Sequence, residues 1–242
     1  MKTAVVTGSA ARLGLAIARM LHSKGYNVLI HYRKSQEEAE AACKELNAIR
    51  NNSAMSYQAD LCDLKQLPGI IEAAIDQWGR LNVLVNNASD FYATHLETAT
   101  VEEWHALIDS NLTNAYFLAQ AARIHLKKSK GCIINMTDSD ASLGRSVPEF
   151  AIYSIAKSGA IMMTKALATE LGPEVRVNAI APGITLWSEH QNLPQEIREK
   201  LINRTLLKRL VSIEDIALTA WFLVENTSMT GQVVNVDAGK FW

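Results

Sequence analysis

Cysteine is scarce in this chain and badly placed for a scaffold. Cys43, Cys62 and Cys132 are the only three, they lie far apart, and no CxxC pair occurs. That excludes a disulfide framework and a thiolate zinc site, and it fits reduced intracellular thiols. No two of the 6 histidines fall within four residues of each other, so histidine pairs at metal-ligand spacing are missing too. No apolar run reaches membrane-spanning length. The first strand is expected to begin almost at Met1, which leaves no room for a secretory signal. Charge of one sign is also absent. With 24 basic and 25 acidic residues the net charge is -1, so no field steers the protein to nucleic acid or an anionic bilayer. These absences predict a cytoplasmic protein without metal, nucleic-acid or membrane partners.

What is present is an alternation. A chain of 242 residues with 48% apolar and 20% charged residues suffices for one large domain with a sizeable core. Short β-branched runs at 3–7, 27–32, 54–59, 82–87, 131–136, 175–180 and 232–237 read as strands. Most are apolar at every position, as in a parallel sheet buried on both faces. Amphipathic helices are expected at 12–25, 36–49, 64–78, 100–127, 149–171 and 212–224. The order predicts an α/β fold, a doubly wound parallel sheet of Rossmann type in a single domain spanning 1–242. The stretch 182–211, with Pro182, Gly183 and Pro194, reads as a substrate loop.

Between the first strand and first helix stands TGSAARLG, residues 7–14. Gly8 and Gly14 permit close backbone approach to a pyrophosphate at a helix N-terminus. Arg12 occupies the place where a third glycine usually sits, beside Leu13. NAD enzymes carry an acid at the end of the second strand, to bind the ribose 2′-hydroxyl. Here that segment offers His31, Tyr32, Arg33, Lys34 and Ser35 and no acid. A basic, hydroxyl-bearing cluster suits a 2′-phosphate. Two charge-assisted hydrogen bonds there would favour NADPH by roughly 10²–10⁴-fold. Asp60 and Leu61 follow the third strand, where an adenine would lie, and Asn87, Ala88 and Ser89 follow the fourth.

YSIAK, residues 153–157, sets Tyr153 and Lys157 on one helix face. One ammonium about 5 Å from a phenol, at an effective dielectric of about 20, is worth roughly 3 kcal/mol. That is enough to lower the phenol towards neutrality for acid–base work.

With the glycine turn, NNAS (86–89), SNLTNA around Asn111, INMTD (134–138), VRVNAIAPG (175–183) and TGQVVNVDAG (230–239), the chain resembles the short-chain dehydrogenase/reductases over nearly its whole length. The resemblance implies Tyr153 as proton donor, Lys157 as its modulator and ribose contact, and Asn111 as holder of a water-linked proton relay. It places Pro182, Gly183 and Thr185 near the nicotinamide. Long helices of this family pair between subunits, which implies a homotetramer. The aromatic end, Phe241-Trp242, is expected at a subunit contact or near the site.

Two departures stand out. Asp138 occupies the place of the family's usual serine, with Ser139 beside it as a possible substitute. A carboxylate there opposes Lys157 and holds the phenol protonated. Arg12 is the second. With NNASDFY, HYRKS and APGITLWSEH, these residues resemble the pteridine reductase branch, which includes dihydromonapterin and dihydrofolate reductases. That resemblance implies a pterin or folate substrate bound by Arg12, Ser89, Phe91, Asp138 and Tyr153, with Phe91 stacking on the ring. Two alternatives remain open: a 3-oxoacyl-thioester reductase of the same fold, and a non-catalytic NADPH-binding sensor.

Overall fold

A computed structural model of the chain describes residues 1–185 and 194–240. Seven parallel strands form one sheet: β1 (Thr3–Val6), β2 (Asn27–Tyr32), β3 (Ala54–Gln58), β4 (Val83–Asn86), β5 (Cys132–Met136), β6 (Arg176–Pro182) and β7 (Val233–Val236). Their spatial order is β3-β2-β1-β4-β5-β6-β7. β1, β2, β4 and β5 are buried at every position, which is why their sequences lack an apolar/polar alternation.

Helices cover both faces. On one, α1 (Arg12–Ser23), α2 (Gln36–Ile49) and α9 (Ile213–Glu225) pack Ile17, Leu21, Leu46 and Ile216 against the sheet. On the other, α3 (Leu67–Trp78), α5 (Asn114–Ser129) and α7 (Ala151–Leu171) contribute Ile70, Leu118, Ala122 and Leu167. The strand order reverses between β1 and β4, so their C-terminal ends open a crevice where ligands bind in sheets of this kind.

Three features differ from the expected elements. The helix expected over 100–127 is α4 (Val101–Ile108), then a π-helical turn at Asp109–Thr113, then α5. Asn111 lies in that turn, and π-turns are frequent at functional sites. A short α6 (Ser139–Ser142) follows β5, and α8 (Gln195–Asn203) occupies part of the segment expected to be irregular. The rest of the expected substrate loop, 186–193, lies outside the described residues, as do part of APGITLWSEH and the packing expected of Phe241 and Trp242. Among the described residues, no helix is long and apolar enough to cross a membrane.

Candidate active-site cleft

The crevice is a cleft of about 670 Å³. Every residue nominated from the sequence lines it except Asn111 and the substitute Ser139.

At one end is the glycine turn. Gly8 has φ +59°, and a Cβ there would press on Ala88 at 3.0 Å. A Cβ on Gly14 would meet the Gly8 carbonyl oxygen at 2.4 Å and Asn87 Nδ2 at 2.6 Å. The turn is closed from the side by Asn87, whose Nδ2 donates to the carbonyls of Thr7 at 2.9 Å and Gly8 at 3.0 Å. Arg12 sits at φ +52°, the left-handed region that a glycine would adopt freely. No side chain among the described residues caps the α1 N-terminus, and Ala11, Arg12 and Leu13 at that end line the cleft, so the positive end of its dipole faces it.

The basic cluster loses one member. His31 is 2% exposed, and its Nδ1 accepts the Gly8 N–H at 3.0 Å while its Nε2 faces the Ala59 carbonyl at 3.2 Å. Burial lowers its pKa to about 4, so it is a neutral imidazole that shapes the turn and not a cation for a phosphate. Arg33, Lys34 and Ser35 are exposed at the cleft rim. Ser35 begins α2 without making a side-chain cap bond. Arg33 faces Asp90 across the cleft at 3.8 Å. Asp60 forms a local turn through Oδ1, which accepts the Cys62 N–H at 3.0 Å.

Near the middle of the cleft, Tyr153 places its hydroxyl 3.5 Å from Asp138 Oδ2. The other oxygen of Asp138 caps α6, accepting the N–H groups of Asp140 at 2.8 Å and Ala141 at 3.4 Å. The carboxylate is therefore both helix cap and site residue. Ser139 is fully buried, its hydroxyl has no hydrogen-bond partner among the described residues, and it does not line the cleft, so it does not stand in for the missing serine. Lys157 is buried and donates from Nζ to the Met136 carbonyl at 3.0 Å.

These contacts reverse one expectation. Lys157 does not lower the phenol. Burial, and then Asp138, hold the Tyr153 pKa well above its ordinary value. Burial also lowers Lys157 to about 8, against a smaller opposing pull from Asp138. Asp138 itself is raised, by burial first and by Asp140 next. Desolvation outweighs the pair attraction because Lys157 is buried and Asp138 and Tyr153 are half-buried.

Phe91 stacks on Phe150 at 4.5 Å with planes 12° apart, and meets Tyr153 edge-on at 4.8 Å. One face of Phe91 is thus covered by Phe150. Asn111 lies just behind the cleft. Its Nδ2 donates to the Asp90 carbonyl at 2.9 Å and the Leu107 carbonyl at 3.0 Å, and its buried Oδ1 has no partner among the described residues. Sequence reasoning missed Asp90, although it stands inside the quoted NNASDFY, and it missed Asp140 and Lys240, discussed below. No group of three His, Cys, Asp or Glu side chains that could hold a metal occurs among the described residues.

The family described as Enoyl-(Acyl carrier protein) reductase matches residues 8–240. The chain belongs to the short-chain dehydrogenase/reductase family. A 3-oxoacyl-[acyl-carrier-protein] reductase FabG of Staphylococcus aureus is 34% identical, covering 99% of this chain and 98% of its own. Its namesake in Staphylococcus epidermidis is 32% identical, covering 99% of each. A 3-oxoacyl-[acyl-carrier-protein] reductase of Synechocystis is 35% identical, covering 98% of this chain and 96% of its own. The pterin expectation is therefore corrected. These full-length relatives are named as reductases of 3-oxoacyl thioesters, not of pterins.

Proposed function

We propose that the protein is an NADPH-dependent ketoreductase that converts a 3-oxoacyl thioester to its 3-hydroxyacyl product. The Asp138–Tyr153–Lys157 group inside a dinucleotide-sized cleft carries this reading, and the names of the relatives supply the substrate class. The residues present fit the cofactor. Gly8, Gly14 and the α1 N-terminus form a cradle that a Cβ would fill, and Arg12 adds a charge to it. Arg33, Lys34 and Ser35 stand ready for a 2′-phosphate, with Asp60 and Leu61 at the adenine. When bound, NADPH supplies the hydride.

Ketone reduction also needs a proton on oxygen. Tyr153 donates it from its hydroxyl, and its raised pKa keeps that proton in place until the ketone oxygen gains charge. Asn111 holds the water-linked relay that replenishes Tyr153 through Lys157, with its unpartnered Oδ1 as the acceptor. Asp138, in its protonated form, donates to the ketone oxygen as a serine would, and its ionised form repels the developing oxyanion. Reduction therefore slows as pH rises through the raised Asp138 pKa. Ser89 and Phe91 line the substrate end. We further infer a homotetramer built through α5 and α7.

The test is oxidation of NADPH with acetoacetyl-CoA, dihydrobiopterin and dihydrofolate side by side. Turnover of the thioester alone is expected. Turnover of only the two pterins, or cofactor binding with no turnover at all, overturns the reading.

A further inference from the structure

The segment after β7 reaches back to α6, the short helix beside the cleft. Lys240 lies beyond β7, and its ammonium pairs with the Asp140 carboxylate, 100 residues away in sequence. The pair is sheltered, with side chains only 19% and 13% exposed. Asp140 is the second residue of α6, and its N–H is the one that Asp138 Oδ1 holds at 2.8 Å. The opposite end of α6 is tied to β7 by Ser142, whose hydroxyl donates to Asn235 Oδ1 at 2.6 Å. An antiparallel bridge between Thr205 and Lys240 extends the same connection to the segment after α8. The helix that Asp138 caps is thus clamped at both ends to the C-terminal segment.

We propose that Asp140 and Lys240 are a positioning pair for Asp138, joining the C-terminal segment to the proton-donating group. The proposal rests on the role given to Asp138 above, and its test is read without substrate. Neither residue is placed at the reacting atoms, and neither lines the cleft. Burying an ion pair is a poor route to stability, because desolvation offsets most of the attraction. This pair is instead placed where its two charges act oppositely on one neighbour. Asp140 disfavours the Asp138 carboxylate and Lys240 favours it. The other ionisable groups facing Asp138 are Tyr153 and Lys157 on α7. Asp237, beyond β7, is engaged locally, its Oδ1 accepting the Gly239 N–H at 2.9 Å.

A pair that matters only structurally has equivalent halves: losing either breaks the same contact. A positioning pair does not. Lys240→Met leaves Asp140 unbalanced beside Asp138, and Asp140→Asn leaves Lys240 unbalanced. A unit charge about 10 Å away, at an effective dielectric of about 20, corresponds to about one pH unit. The experiment is a carboxyl-carbon NMR titration of the full chain, with the Asp138 signal identified by its loss in Asp138→Asn. Lys240→Met is expected to raise the Asp138 midpoint by about one pH unit and Asp140→Asn to lower it by a similar amount. Lys240→Arg and the double variant return it close to the starting value. The limb of the reductase pH profile that Asp138 governs should move in step. Shifts of the same sign in both single variants, or none, overturn the proposal. If Lys240→Met does not fold, the near-isosteric Asp140→Asn and the charge-preserving Lys240→Arg still decide it. Opposite midpoint shifts in a protein that turns over no thioester would leave this inference standing and remove only the substrate.

Discussion

A buried lysine ammonium with one carbonyl partner is costly to a fold. Lys157 donates to Met136, and burial brings its pKa from 10.5 to about 8. Between those values the unfolded chain holds a proton that the folded chain lacks, so stability rises with pH across that window. The penalty is full below pH 8 and fades towards 10.5. Lys157→Met should therefore stabilise the protein at pH 7 by about 2 kcal/mol: about 3 from the shift, less about 1 for the lost hydrogen bond. It should also abolish reduction, and its stability advantage should vanish near pH 10.5 in urea titrations. A less stable variant at pH 7 would refute this account of the pocket. Lys34→Glu tests the other end of the cleft. NADPH binding should weaken at least about tenfold while NADH changes little, and equal losses would remove the 2′-phosphate assignment. That Tyr153 and Lys157 share one face of α7 was legible in the sequence from their four-residue spacing, while their roles came only with the family resemblance. His31 was not, because its neutrality comes from burial under Gly8 and Ala59, partners 23 and 28 residues away.

Long periodic helices were legible as elements because each carries several turns of pattern, and short ones were not. α6 has four residues, too few for any period, and is defined by its Asp138 cap and by ties to distant residues. α8 follows Pro194, read as a breaker although proline can also precede a helix start. The π-turn at Asp109–Thr113 adds a wider turn to an otherwise continuous pattern, and hydropathy does not register that. The glycine turn was legible in position but not in strain. Arg12 holds a left-handed φ of +52° where α1 begins, a conformation that disfavours side chains by roughly 1 kcal/mol. Such strain persists at sites where the residue serves a ligand. Arg12→Gly should raise the unfolding free energy of the ligand-free protein by a few tenths to about 1 kcal/mol. It should also weaken NADPH about tenfold, by removing one charge-assisted contact. Urea midpoints and fluorescence titration measure the two effects. A loss of stability would show that Arg12 supports the turn itself.

At the scale of the whole molecule, alternating elements specify the sheet and its switch point, because parallel strands need helical crossovers and the crossovers bury both faces. The closure of the C-terminal segment onto α6 was not legible, since it depends on contacts spanning almost half the chain. Association is also a whole-molecule property, and its signal lies on two helices. Phe117 and Ile124 on α5 are seven residues apart, as are Ile155 and Met162 on α7, so each pair shares one stripe. Ile124 is 64% and Met162 63% exposed, with Ile155 at 51%. Both helices already bury an inner face against the sheet, so these outer stripes are additional apolar surface. Surface of this kind is characteristic of subunit contacts. Stripes on two neighbouring helices, doubled by a two-fold axis, can reach the roughly 1,000 Å² that a stable interface requires. Sedimentation at micromolar concentration should therefore give at least a dimer, and the tetramer inferred above needs a second two-fold contact besides this one. Ile155→Glu with Met162→Glu should give smaller species of unchanged circular dichroism, because neither side chain supports the inner core. A monomeric parent protein would remove the association claim, and a tetrameric double variant would move the interface off α7.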